Sequence, residues 1–308
     1  MNNYYKGTSG GWKKYDQNPV LGGNLGTCFD ISVIKQADLY KMFFSWRPKK
    51  CVAVCESLNG LQWSEPRICI DPRSTEQGWE DDINRPTVIV RDGVYHMWYT
   101  GQFLPGEAGG TSHIFYARSL NGFDFERVQE TPVLYPWEEW EKNAVMNPDA
   151  MWDEDAREYK MWYCGGEQYE PNAIGYASSP DGIHWTKHRD NPVFQADADS
   201  AWERHKVAGC NVRIIDGQYV LFYIGYHNEN YAQIGIARSP DGIRDWQRHP
   251  KNPVIAPDPG GWDADACYKP CVLFDGEKWL MWYNGRNSFF EQIGVAFHDG
   301  IDLEFDVE

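Results

Sequence analysis

Apolar and polar residues alternate along this chain in short runs, and the runs recur. One is aromatic: Leu39-Tyr-Lys-Met-Phe-Phe-Ser45, Val94-Tyr-His-Met-Trp-Tyr-Thr-Gly101, Glu158-Tyr-Lys-Met-Trp-Tyr-Cys-Gly165, Gln218-Tyr-Val-Leu-Phe-Tyr-Ile-Gly225 and Lys278-Trp-Leu-Met-Trp-Tyr-Asn-Gly285. Runs of this length and composition predict strands. Each follows another apolar run, at 31–34, 87–90, 150–152, 212–215 and 271–274, and most precede a strand of the type Ile-Gly-x-Ala-x-Ser. Next come Asn59-Gly60, Asn121-Gly122, Asp181-Gly182, Asp241-Gly242 and Asp299-Gly300, whose glycines stand 62, 60, 60 and 58 residues apart. Asn-Gly and Asp-Gly tolerate positive φ where a chain reverses, so each predicts a hairpin. A fourth strand ends near Asn-Pro-Val in several repeats. No stretch of helical period of any length interrupts the pattern.

Four antiparallel strands in each of five repeats predict an all-β, five-bladed β-propeller, a single domain over residues 1–308. The ends point to closure. Trp185 and Trp246 are each followed six residues later by Asn-Pro-Val, and so is Trp12. The N-terminal segment therefore reads as an outermost strand placed ahead of its own repeat. Residues 11–21 are expected to complete the blade begun near residue 266, with 303–307 as the competing segment.

Aromatic residues make up 15% of the chain, which suits face-to-face sheet packing and sugar-stacking platforms. The formal charge of −16, from 45 acidic and 29 basic residues, argues against nucleic acid and anionic membranes as partners. No apolar run approaches a membrane span, and the first residues lack a signal-peptide core, so the expected location is cytoplasmic. The eight cysteines show no metal-type pairs, and no ligand spacing demands a metal or cofactor. Buried reduced thiols are the expectation.

The Asn/Asp-Gly hairpins are short, whereas the connections at 46–50, 102–113, 166–173, 226–233 and 286–292 are longer. So are the lead-ins at 70–85, 135–147, 195–209 and 256–269. These two sets share one face of a propeller, which is the expected working face. The lead-ins repeat Trp79-Glu80, Trp140-Glu141, Trp202-Glu203 and Trp262-Asp263, and an acid conserved in register this way reads as a cap or blade link. Beyond it the repeats diverge into chemistry. Asp30, Asp82, Asp149 and Asp265 are candidate catalytic carboxylates. Asn84, Arg85, Asn147, His205, Lys206, Asn211 and Lys269 stand nearby, and Trp46, Arg47, Glu167 and Arg286 come from the connections. Converging carboxylates repel, so one keeps its proton while another stays ionised, the pairing that glycosidic cleavage uses.

The Ser-x-Asp-Gly-x-x-Trp and Tyr-x-Met-Trp-Tyr repeats resemble the five-bladed glycosidases of the family 43, family 32 and family 117 type, and more distantly the family 130 phosphorylases. The resemblance spans the chain. It implies a small carbohydrate substrate and Asp30, ten residues before Tyr40, as the base. Asp149, ten before Tyr159, would tune the acid. The acid itself is expected near Ala208-Gly209, where Glu203 and His205 are the nearest substitutes, a His acid resembling family 117. Asp82 or Asp265 would otherwise donate the proton. The activity implied is exo-acting hydrolysis of small oligosaccharides, with phosphorolysis or non-catalytic sugar binding as alternatives.

Overall fold

The computed structural model describes residues 5–104, 109–167 and 171–306. Residues 105–108 and 168–170 of two predicted connections, and Val307 of the competing C-terminal run, lie outside these. Among the described residues the regular structure is strand, relieved by three-residue 3-10 turns at Gly23–Leu25, Arg47–Lys49 and Glu139–Glu141. No helix there is long and apolar enough to cross a membrane.

The strands form five successive antiparallel meanders, each with three long members. These are β1 (Cys28–Gln36), β2 (Leu39–Trp46) and β3 (Cys51–Ser57); β4 (Asp82–Arg91), β5 (Val94–Phe103) and β6 (Thr111–Ser119); β7 (Ala144–Asp153), β8 (Glu158–Gly166) and β9 (Pro171–Ser179); β10 (Lys206–Ile215), β11 (Gln218–Tyr226) and β12 (Ala232–Ser239); β13 (Ala266–Phe274), β14 (Lys278–Asn287) and β15 (Phe290–Asp299). Short outer strands complete them. The chain divides into two compact units, Asp30–Phe194 and Met1–Phe29 with Gln195–Glu308.

Three sequence repeats acquire physical causes here. In Ser-x-Asn/Asp-Gly the serine joins the turn: Oγ of Ser57, Ser119, Ser179 and Ser239 accepts the N–H of Gly60, Gly122, Gly182 and Gly242 at 2.8–3.0 Å. The asparagine of Asn-Pro-Val clips an outer segment to a third strand. Asn191 and Asn252 each use both side-chain polar atoms on the backbone of Tyr176 and Ile236, and Asn18 does the same on Val295. The glycines that end the second strand and lie within the third are there for space. A Cβ at Gly225 or Gly235 would collide with the Trp202 ring, and the pairs Gly165/Gly175 and Gly285/Gly294 meet Trp140 and Trp262 in the same way.

The N-terminal segment lies along the outer edge of the last meander. Lys13–Lys14 pairs with Phe297 and Ala296 of β15, and Leu21 bridges Ile293. Trp12, 2% exposed, enters a core cluster with Phe222, Trp279 and Met281. Leu303 and Phe305, from the run expected to compete for that edge, pack into the same cluster instead. All eight cysteines are reduced and buried. Burial pushes the Cys51 thiol up to about 12, so it stays protonated and inert.

Candidate active site

The first strand of each meander carries the candidate chemistry, and a local kink aims it. Asp30, Arg85, Asn147 and Lys269 all adopt left-handed backbone with φ between 47° and 55°. In β4, β7 and β13 the ladder register slips at this point, as a β-bulge requires, and in β10 it slips at Gly209. Left-handed backbone is strained for residues with a Cβ, so four such residues at one repeat position mark a shared device. The residue two positions on has another task. Oγ of Ser32 accepts the N–H of Val88, Oγ1 of Thr87 that of Ala150, and Oδ1 of Asn211 that of Val272. These bonds tie the first strands of neighbouring meanders.

Asp149 therefore stands at the strand-linking position, and Asn147 at the position equivalent to Asp30. The hairpin between β7 and β8, residues 154–157, is two residues longer than those at 37–38 and 92–93. Ten residues before the aromatic strand is thus a different place in this repeat.

Within the Asp30–Phe194 unit the predicted residues join into a buried polar chain. Arg85 Nε lies 3.4 Å from Asp30 Oδ2, and Arg85 Nη1 donates to Asn84 Oδ1 at 2.8 Å. Asn84 Nδ2 donates to Asp82 Oδ1 at 2.9 Å and to Gln102 Oε1 at 2.7 Å. Arg47 Nη1 reaches Asp82 Oδ2 at 3.4 Å. Ser45 Oγ holds the kinked Arg85 N–H at 2.8 Å, and Gln102 Nε2 donates to Ser112 Oγ at 3.0 Å. Asp30, Asp82, Asn84 and Gln102 are all buried, Asp30 being 4% exposed. The carboxylates are held by guanidinium and amide donors, which offset the cost of taking charge out of water. Asn147, with its backbone N–H on Thr100 Oγ1, has a buried side-chain oxygen with no partner among the described residues. Trp46 ends β2 half-buried, and Glu167 pairs at the surface with Lys142 at 2.7 Å. Gln102, Ser45 and Ser112 come from second and third strands, where the sequence shows only strand periodicity.

The remaining candidates belong to the other unit. Lys206 Nζ lies 4.7 Å from the centre of the Tyr226 ring, and Lys269 Nζ donates to the Cys210 carbonyl at 3.2 Å. His205, Asp265 and Arg286 line a groove of about 1200 Å³. Asp265 Oδ2 accepts the Ser288 N–H at 2.6 Å.

The acids of the Trp-acid repeat are structural, as their recurrence suggests. Each is buried, receives a hydroxyl from a second-strand tyrosine and faces a cation on an outer strand. Glu80 holds Tyr99 and Arg127, Glu141 holds Tyr163 and Lys187, and Glu203 holds Tyr223 and Arg248; Asp263 holds Tyr283 and Lys14. Burial pushes the Glu203 carboxyl up, against the opposing pull of Arg248 and Tyr223. Removing this charge leaves Arg248 without its anion. Glu203→Gln is expected to cost about 2–4 kcal/mol, read as a lower denaturation midpoint.

The chain is a member of the β-propeller glycoside hydrolase superfamily. The sequence model of the glycosyl hydrolases family 32 N-terminal domain matches residues 32–205, more than half of the chain, and the chain belongs to that family. It is 29% identical over 277 residues to an uncharacterized protein of Mycobacterium tuberculosis, covering 85% of this chain and 88% of the other. It is 30% identical over 218 residues to the acid beta-fructofuranosidase of Vicia faba, covering 64% of this chain and 30% of that protein. A 1,2-beta-oligomannan phosphorylase of Thermoanaerobacter sp. is 24% identical over 258 residues, covering 81% and 78%. Among solved structures, a thermostable family-43 glycoside hydrolase superposes with a TM-score of 0.71 at 17% identity, covering 89% of this chain and 90% of that one.

Proposed function

We propose that this chain is a glycoside hydrolase that removes sugars from the ends of small oligosaccharides, built as a single five-bladed β-propeller domain over residues 1–308. Five meanders of like strand order support the blade count. One observation carries the activity: the polar chain Asp30–Arg85–Asn84–Asp82–Arg47, which sets two buried carboxylates in one hydrogen-bonded system. Asp30, beside Arg85, activates water or attacks the anomeric carbon. Asp82 donates the proton to the leaving oxygen. Asp149 orients the reacting groups from its strand-linking position. Asn84, Arg85 and Asn147 hold hydroxyls.

Phosphorolysis is the second reading, favoured by the guanidiniums of Arg85 and Arg47 beside the two acids and by the phosphorylase relative. The separating experiment is turnover of a panel of fructosides and mannosides with and without inorganic phosphate. Free sugar released at the same rate in both conditions is the expected result. A glycosyl phosphate formed only with phosphate transfers the assignment to phosphorolysis, and sugar binding without any turnover leaves a non-catalytic carbohydrate-binding propeller.

A further inference from the structure

The groove in the unit that contains residues 195–308 is not used by the roles proposed above. Its walls come from the turn before β10, the β11–β12 hairpin and the β14–β15 hairpin. We propose that this groove binds a saccharide carrying an anionic group, with Arg204 and Arg286 holding the anion and Phe289 stacking on the sugar ring. The saccharide class rests on the carbohydrate reading above; the anion does not.

The charge pattern makes the case. In a chain of formal charge −16, cations find acids easily, and Arg67, Arg73, Arg85, Arg127, Arg238 and Arg248 all sit on carboxylates. Arg204 is exposed at the groove and has no hydrogen-bonding or ionic partner among the described residues. Arg286 spends one N–H on the Asn230 carbonyl at 2.5 Å, which fixes the side chain and leaves its other donors open. Of the groove's own acids, Asp265 accepts the Ser288 N–H and Glu291 accepts the Tyr268 hydroxyl, each bond drawing its carboxylate toward the wall. Among the described residues, Glu229 is the groove carboxylate without a hydrogen-bonding or ionic partner.

A planar guanidinium matches a carboxylate or phosphate through two parallel hydrogen bonds, a geometry no neutral hydroxyl reproduces. At the lip Phe289 is 98% exposed, its ring free to meet a ligand. An aromatic face with polar groups around it suits the apolar side of a sugar ring. Strong overall negative charge excludes nucleic acid as the source of the anion. A uronate and a sugar phosphate share the remaining chemistry.

The test is titration calorimetry on full-length Asp30→Asn protein, so that turnover cannot disturb the reading. The probes are digalacturonic acid, its neutral counterpart galactobiose, galactose 1-phosphate and inorganic phosphate. At least one acidic sugar is expected to bind about tenfold or more tighter than galactobiose, equivalent to 1.4 kcal/mol. Preference for digalacturonic acid identifies a carboxylate, and preference for galactose 1-phosphate with competition by phosphate identifies a phosphate. Arg204→Ala and Arg286→Ala should each erase the preference, and Phe289→Ala should weaken every sugar several-fold. Arg204 holds no structural contact, so its variant stays informative even where Arg286→Ala unfolds. Equal binding of acidic and neutral sugars, no binding of any probe, or a preference untouched in Arg204→Ala would overturn the proposal. Absence of hydrolysis in the parent protein would sink the preceding reading and leave this one standing.

Discussion

Replacing Asp30 by Asn is expected to lower turnover by about a thousandfold or more while leaving sugar affinity within a few-fold. Asparagine keeps the shape of the side chain and accepts left-handed backbone as readily as aspartate, so the kink at φ 50° survives. What disappears is the negative charge facing Arg85 and the oxygen able to take a proton or attack carbon. Alanine at this position would mix loss of chemistry with backbone strain. The measurement is kcat beside a directly determined Kd for the sugar. A variant that hydrolyses within tenfold of the parent removes Asp30 from the mechanism.

Deletion of residues 1–21 is expected to abolish cooperative folding. The segment contributes strand pairing to β15, the buried Trp12 and the Lys14 ammonium. Lys14 Nζ donates to Asp263 Oδ2 at 2.7 Å, to Asp258 Oδ2 at 2.8 Å and to the Ala256 carbonyl at 2.7 Å. Without it Asp263 remains a buried carboxylate lacking its cation, a loss of about 3–5 kcal/mol. Loss of a buried tryptophan costs about as much again, and β15 becomes an open edge. Together these reach the whole stability of an ordinary domain, about 5–15 kcal/mol. Thermal unfolding followed by circular dichroism decides it, and a truncated protein melting like the parent would refute the closing role. Lys14→Met isolates the electrostatic part and should lower the midpoint without abolishing the transition.

The strand plan was readable in the sequence because each repeat carries its own local reasons: a Ser-x-Asx-Gly turn, a glycine under a tryptophan, an asparagine that clips an outer strand. The place of the N-terminal strand was readable for the same reason, since Trp12 and Asn18 repeat the spacing found at Trp185 and Asn191. The polar site was readable only in part. Asp30, Asp82, Asn84 and Arg85 stand out as charged or amide groups where apolar residues would otherwise begin a strand. Their connection through Gln102 and Ser45 was hidden, because a polar residue at a strand end looks the same whether it faces water or a neighbour. The equivalence of Asp30 with Asn147 was hidden by hairpin length: spacing counts residues through a loop, and two extra residues at 154–157 shift the count without moving the bulge. Left-handed backbone at Arg85 and Lys269 has no sequence signal, since neither residue favours it. The acid of the Trp-acid repeat was recognisable as structural, but its tyrosine and outer-strand cation emerge only from the pairing of distant strands.

The pairing of Lys14 with Ala296 joins residues far apart in the order of synthesis. At ordinary translation rates the first of these leaves the ribosome some tens of seconds before its partner exists. Throughout that interval Trp12 has no β15 to dock against, and the leading segment must be tolerated as loose, sticky chain. This sheet is completed by a segment made well before the strand it docks on, so its closure waits for β15.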